Sequence, residues 1–292
     1  MADAPRPGSR TPRQVRVIQD GRATSRADYL ATEEPLEIRV VVAGRRQSVA
    51  ITMRTPGADF ELAVGFLFSE GIIAGRDDVR RVSYCTDRDV ETEQRYNIVN
   101  VELAGAAAPD LRSLERHFFT NSACGVCGKA TLDALEVRCA PLAGGPEVPV
   151  DVLYGLPERL RTGQGLFDST GGLHATGLFS AGGELLAIRE DVGRHNALDK
   201  LVGWAVLQGR VPLENELLLV SGRSSYEILQ KAITAGVSVV CGISAPSSLA
   251  VAMAERFGVT LVGFLRDRRC NVYAHAGRIL ADESVAGPVS VD

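Results

Sequence analysis

Cysteine is scarce in this chain, six residues in 292, too few for a disulfide-stapled scaffold. No apolar run approaches the ~18 residues that a bilayer span needs, and the first thirty residues contain no apolar signal segment. Positive charge is not in excess: 32 Lys and Arg against 36 Asp and Glu give a net charge of −4, which excludes nucleic-acid binding through bulk charge. Two nucleotide motifs are missing. Gly128-Lys129 is followed by Ala130, with Ala123 where the first Gly of a P-loop would stand, and no G-x-G-x-x-G occurs. What remains is an ordinary globular composition, 45% apolar and 23% charged, long enough for about two domains. We expect a cytoplasmic protein with reduced thiols, binding neither nucleic acid nor membrane.

The pattern along the chain changes once. Residues 1–26 hold six Arg against two Asp, with Pro5, Pro7 and Pro12 forbidding the amphipathic helix of a transit peptide, and read as a disordered basic tail. β-Branched runs at 36–42 and 48–53 predict a hairpin. Thr55-Pro56 supplies an N-cap and a proline for a helix that Gly71 ends, and strands at 79–85 and 96–103 follow, giving a small α+β domain over 27–110. From 111 to 282 the chain alternates. A helix over 150–162 ends at Gly163, strands at 173–179 and 184–189 precede a helix over 195–208, and Gly209 stops it. Short apolar strands at 217–220, 237–241 and 259–264 then alternate with helices at 225–235 and 247–257, closed by Gly236 and Gly258. Such strands belong to a sheet covered by helices on both faces, an α/β three-layer domain. Residues 283–292 read as a second disordered tail.

The sharpest chemistry lies at Cys124-Gly125-Val126-Cys127-Gly128-Lys129. Two thiols three positions apart can share one electrophile: a metal ion, each other, or a sulfur atom in transit. A predicted helix over 131–137 brings its positive end towards Cys127, and Lys129 adds charge; both favour the reactive thiolate. A structural zinc site needs four ligands; the motif supplies two, and although His117 and Cys139 are nearby, no second Cys-x-x-Cys completes the pattern. A thioredoxin-like dithiol would open a helix after the first strand of its domain, whereas this motif is mid-chain. Cys85, Cys139, Cys241 and Cys270 sit in apolar or strand-like surroundings and are expected in the core.

Three strand-to-helix or post-strand loops are suited to anions: Ser221-Gly222-Arg223-Ser224-Ser225, Ser244-Ala245-Pro246-Ser247-Ser248, and Phe264-Leu265-Arg266-Asp267-Arg268-Arg269. Each of the first two presents hydroxyls and free N–H groups at a helix start, where any one alone would be an ordinary cap. If the strands are parallel neighbours, all three meet at one sheet edge, with four Arg between them, and a phosphate-bearing ligand is the natural occupant. His174, and Arg194 with His195 at a helix start, are further candidates for contact with an anion or a carboxylate.

Taken in order, CGVCGK, TGGLHATGLF, REDVGRHNALDKLVG, SGRSSYEILQKA, SAPSSLAV and VGFLRDRRCNVY resemble the FdhD family of formate dehydrogenase accessory proteins, over about residues 30–280. The resemblance implies a sulfurtransferase acting as a sulfur carrier. It would accept persulfide sulfur from a cysteine desulfurase and pass it to bis-molybdopterin guanine dinucleotide, the molybdenum cofactor destined for formate dehydrogenase. It also implies a homodimer and a cytidine-deaminase-like main domain with a mixed sheet. By motif, Cys124 would bear the persulfide with Cys127 as partner, and Phe264, Leu265, Arg266, Asp267, Arg268 and Arg269 would contact the cofactor, joined in our reading by Ser221, Arg223, Ser247, His174 and His195. Deaminase activity itself is excluded, because His174-Ala175-Thr176 lacks the Glu of H-x-E and the Cys pair precedes the His. The alternatives are a zinc-stabilised maturation chaperone without chemistry and a dithiol oxidoreductase.

Overall fold

In a computed structural model, residues 8–87, 89–105 and 139–281 are described, and the chain is a mixed α/β protein with several sheets. The Cys124–Cys127 pair, the 131–137 segment and the 283–292 tail lie outside the described residues.

The first departure from expectation is at the start. Residues 10–31, which composition assigned mainly to a solvated tail, form a hairpin of β1 (Arg10–Gln19) and β2 (Arg22–Ala31), paired from Arg10↔Ala31 to Gln19↔Arg22. Its turn is Asp20-Gly21, both in the left-handed region that a two-residue hairpin loop requires. Proline prevents a helix here but not a strand whose edges are unpaired, so Pro12 is accommodated in β1.

A four-stranded sheet follows, ordered β4-β3-β6-β5, from β3 (Glu34–Val42), β4 (Arg45–Arg54), β5 (Val79–Tyr84) and β6 (Ile98–Leu103). The expected turn between β3 and β4 tightens to Ala43-Gly44. Helix α1 (Asp59–Ser69) begins later than the Thr55-Pro56 signal suggested: its N-cap is Ala58 in the left-handed conformation. The reason is that Thr55 is spent elsewhere. Its backbone N–H donates to Asp191 and its hydroxyl accepts from the backbone of Val192. Asp59, the first helical residue, instead receives the fully buried Arg54 through two 3.1 Å hydrogen bonds, together with the Tyr84 hydroxyl. Gly71 ends α1 as expected, donating to the Phe68 carbonyl.

The main sheet has six strands, ordered β13-β12-β11-β10-β8-β9. They are β8 (His174–Ser180), β9 (Leu185–Asp191), β10 (Glu216–Val220), β11 (Val239–Gly242), β12 (Thr260–Arg266) and β13 (Arg269–Ala274); a minor pair, β7 (Val148–Pro149) and β14 (Ile279–Leu280), stands apart. β10, β11 and β12 run parallel, and β8, β9 and β13 pair antiparallel to their neighbours. One face is covered by α2 (Val150–Gly163), whose Leu153, Leu156 and Leu160 meet Phe179, Leu219 and Val262; α3 (Gly165–Thr170) follows it directly. The other face carries α4 (Arg194–Leu207), α5 (Tyr226–Thr234) and α6 (Ser248–Phe257).

The two sheets share one apolar cluster, because α1 lies directly on α4. The helices touch backbone to backbone. A Cβ placed on Gly65 would sit 1.8 Å from the Asp199 carbonyl oxygen, and one on Gly203 1.8 Å from that of Glu61. Only glycine permits this approach, and it draws the four-stranded layer down onto the main sheet.

A polar sheet edge as the candidate functional site

Parallel β10, β11 and β12 end at the same edge, which brings the three anion-suited loops side by side. Ser224 and Pro246 form a bridge between two of them, and the Phe264 N–H donates to the Ser244 carbonyl. Antiparallel β8 and β9 add what sequence order alone did not reveal: the start of β8 and the end of β9 reach the same edge. The register pairs His174 with Asp191, and α4 then begins with Arg194 and His195.

Not every hydroxyl or base expected here faces solvent. The Ser221 hydroxyl accepts from the Ala175 N–H at 2.9 Å, holding its loop against β8. The Ser247 hydroxyl caps α6 by accepting from the Ala250 N–H. Leu265 is fully buried in the core against α2. β12 runs on through Arg266, so Asp267-Arg268 is a two-residue hairpin turn in the left-handed region rather than an open loop. Arg268 leans over the Tyr154 ring and pairs with Asp151 at 2.6 Å. Arg223, Arg266 and Arg269 are exposed, and Phe264 is half-buried with positive φ at the bulge before Arg266.

At the centre of the edge, His174 borders Gly222, with Arg194 beside it. Burial, with the positive charges of Arg194 and His195, pushes the His174 imidazole below its ordinary value. His195 Nε2 lies 2.6 Å from the Glu227 carboxylate and 3.3 Å from the Ser225 hydroxyl. The hydrogen bond from His195 holds the Glu227 carboxyl below its usual range in spite of burial. Glu227 was not singled out from the sequence, although its place in the first turn of a helix opening on this edge was visible there. Of the four buried side-chain polar atoms without a partner among the described residues, two lie at this edge, Ser224 Oγ and Arg194 Nε. An unmet hydroxyl and an unmet guanidinium N–H at the starts of two helices are suited to an acceptor from outside the chain.

The other charges of the 190–200 segment turn inward. Lys200 pairs with Asp191 at 2.7 Å and donates to the Thr55 carbonyl, while Asp199 accepts from Lys231 and Ser69. A pocket near the hairpin base, lined in part by Gly57, Leu166, Arg189, Glu190 and Lys200, offers no free charge. Arg189 is paired with Glu61, and Glu190 accepts the N–H groups of Leu166 and Phe167. Cys241 and Cys270 are both pushed up by burial; Cys241 lies in the core as expected, whereas Cys270 is half-buried at its margin. No helix among the described residues is long and apolar enough to cross a membrane.

Comparison with known proteins agrees with this architecture. The model of the FdhD/NarQ family matches residues 31–280. A sulfur carrier protein FdhD from Mycolicibacterium paratuberculosis is 51% identical over 270 residues, 91% of this chain and 97% of the relative. One from Streptomyces coelicolor is 51% identical over 271 residues, 91% of this chain and 94% of the relative. A crystal structure of a formate dehydrogenase accessory protein from Desulfotalea psychrophila superposes with a TM-score of 0.71 at 25% identity, covering 93% of this chain and 99% of that one.

Proposed function

The chain belongs to the FdhD/NarQ family, and from that premise we propose that it carries sulfur from a cysteine desulfurase to bis-molybdopterin guanine dinucleotide for formate dehydrogenase. The observation that carries this reading is its 51% identity, over nearly their whole lengths, to proteins named as sulfur carriers.

In the first step the Cys124 thiolate attacks the outer sulfur of the desulfurase persulfide. A Cys124 persulfide forms, and the desulfurase cysteine leaves as thiolate. In the second, Cys127 attacks the inner sulfur of Cys124 and the outer sulfur departs as hydrosulfide to the molybdenum of the cargo. The disulfide left behind is returned to two thiols by a cellular dithiol, which is itself oxidised. The cargo is anionic at its phosphates, and the polar sheet edge supports a place for it. Ser224 and Arg194 present unmet donors, and Arg223, Arg266 and Arg269 are exposed around them. We read the helix-sheet-helix layering as a cytidine-deaminase-like domain put to binding, with His174 and His195 as ligand contacts rather than metal ligands. The setting is cytoplasmic, and the working form is a homodimer.

The test is intact-protein mass spectrometry after mixing the pure chain with a desulfurase and cysteine. One added sulfur atom, removed by dithiothreitol and missing in Cys124→Ala, is the expected result. No added sulfur from a competent desulfurase would overturn it. Bound zinc in stoichiometric amount would then favour the chaperone alternative, and catalytic insulin reduction the dithiol oxidoreductase.

A further inference from the structure

We propose that Glu227 is a positioning residue: it holds the Nε2 side of the His195 ring against the protein, so that Nδ1 is the nitrogen offered to an anionic ligand at the sheet edge. This rests on the reading that the edge takes the phosphates of the cargo, and it adds the residue that aims one of the contacts.

The Glu227 carboxylate is occupied on both sides. One oxygen lies 2.6 Å from His195 Nε2, and the other accepts from the Tyr226 hydroxyl at 3.3 Å. The hydrogen bond from His195, with the positive charge of Lys231 one turn further along α5, keeps the carboxyl ionised in spite of burial. An ionised carboxylate can only accept, so the proton of the contact belongs to Nε2. The Ser225 hydroxyl meets the same nitrogen at 3.3 Å, and Nδ1 has no partner among the described residues. The His195 side chain is 29% exposed, and Nδ1 is the part of the ring left for a ligand.

A bridge that served packing alone would not need this arrangement. One turn further in, Lys231 already ties α5 to Asp199 of α4 through contacts of 2.8 and 2.9 Å between almost fully buried side chains. The His195–Glu227 pair lies at the rim, where an ion pair adds little to stability. Ser225 is the N-cap of α5, yet its hydroxyl makes no capping bond and turns to His195 instead. Ser247, in the matching position of α6, does cap its helix. The first turn of α5 is therefore left open at the edge. Next to it is the buried, unpartnered Ser224 hydroxyl, and the unpartnered Arg194 Nε belongs to the residue before His195. All of these groups can donate, which selects a group that only accepts, such as a phosphate oxygen. A ring that bridges Glu227 and a phosphate meets an acceptor at each nitrogen. It therefore carries two protons in the complex and brings a positive charge to the ligand.

The experiment is titration calorimetry of guanosine diphosphate with the full chain, beside His195→Asn, His195→Gln, Glu227→Ala and the double variant Glu227→Ala, His195→Gln. Circular dichroism verifies that each variant is folded. The amide nitrogen of asparagine stands near the place of Nδ1, and that of glutamine near the place of Nε2. His195→Asn should therefore stay within about threefold of the wild-type affinity, and His195→Gln should fall about tenfold or more. Glu227→Ala should weaken binding about tenfold when His195 is present and have almost no effect when it is already glutamine, because it acts through that ring. Nitrogen-15 spectra should place a proton on His195 Nε2 in the free chain and on both nitrogens in the complex. In free Glu227→Ala the proton should be shared between the two nitrogens. Equal losses in the asparagine and glutamine variants, an undiminished effect of Glu227→Ala in the double variant, or a free ring protonated at Nδ1 alone would each overturn the proposal. So would a wild-type chain that does not bind guanosine diphosphate, whereas the carrier reading stands or falls on sulfur addition at Cys124, measured in the same samples.

Discussion

Two polar regions of this protein are built from the same eleven residues, 190–200, and they are finished in opposite ways. The inward region, where Asp191, Asn196, Asp199 and Lys200 join the four-stranded layer to the main sheet, is fully satisfied. Asp191 accepts from Lys200, from the N–H groups of Thr55 and Gly193, and from Asn196. The outward region, three residues along at Arg194 and His195, keeps a guanidinium N–H without a partner among the described residues, at the same sheet edge as the unpartnered Ser224 hydroxyl. A buried charge with every partner in place specifies packing, whereas a buried donor without one is suited to a ligand. The difference separates residues that hold the fold from those that serve it, within a motif that reads as a single block.

The comparison breaks most visibly at Asp191. Replacing it by alanine leaves the Lys200 ammonium buried with only carbonyl oxygens for partners, and should cost about 3–5 kcal/mol of stability. Urea unfolding followed by circular dichroism measures this. A loss below about 1 kcal/mol would mean that water or a shifted side chain replaces the carboxylate, and that the inward region is no more finished than the outward one.

Arg194→Ala sharpens the same comparison from the other end. Its side chain supports no inward ion pair, so stability should change by less than about 1 kcal/mol. Binding of guanosine diphosphate, a soluble probe for the nucleotide end of the proposed cargo, should weaken about tenfold or more, the effect of one charge-assisted hydrogen bond. Titration calorimetry reads the second quantity. Equal affinity in the variant would remove Arg194 from the ligand edge.

The alternation of strands and helices in the second half was legible because α4, α5 and α6 are each followed by a glycine with positive φ, Gly209, Gly236 and Gly258, and the central strands are short, largely apolar runs. The meeting of three loops at one edge followed from that alternation. The β1–β2 hairpin was not legible: its strands are rich in arginine and bury almost nothing, so composition indicated a tail where the backbone is paired. Thr55-Pro56 misled for a related reason, since a residue fit to cap a helix was drawn into a contact 136 residues away. Ser221 and Leu265 show a similar limit within the site. Motif membership could not distinguish a hydroxyl that ties a loop to β8, or a leucine that fills the core, from a neighbour that faces a ligand. Glu227 became meaningful only when α5 and α4 were seen to start side by side.

The smallest effect expected is also the most specific, because it depends on the charges that meet at the edge. His174 titrates below its ordinary 6.5 in the folded chain, through burial and the positive charges of Arg194 and His195. Between that lowered value and 6.5 the unfolded chain binds the proton and the folded chain does not, so stability rises with pH across this window. Acidification from 6.5 therefore removes stability until the folded imidazole also protonates, after which the loss levels off. Glu227, held below its ordinary 4.5 chiefly by the hydrogen bond from His195, adds a second loss as pH falls from 4.5 through its folded value. Both side chains reach solvent, so each step should be under about 1 kcal/mol. Urea midpoints measured across this pH range should show both steps. His174→Gln should erase only the upper and Glu227→Gln only the lower, while Arg194→Ala should shrink the upper by removing one of the charges that depress His174. An upper step unchanged in Arg194→Ala would mean that burial alone sets the imidazole, and that the edge gathers its positive charge without the histidine sensing it.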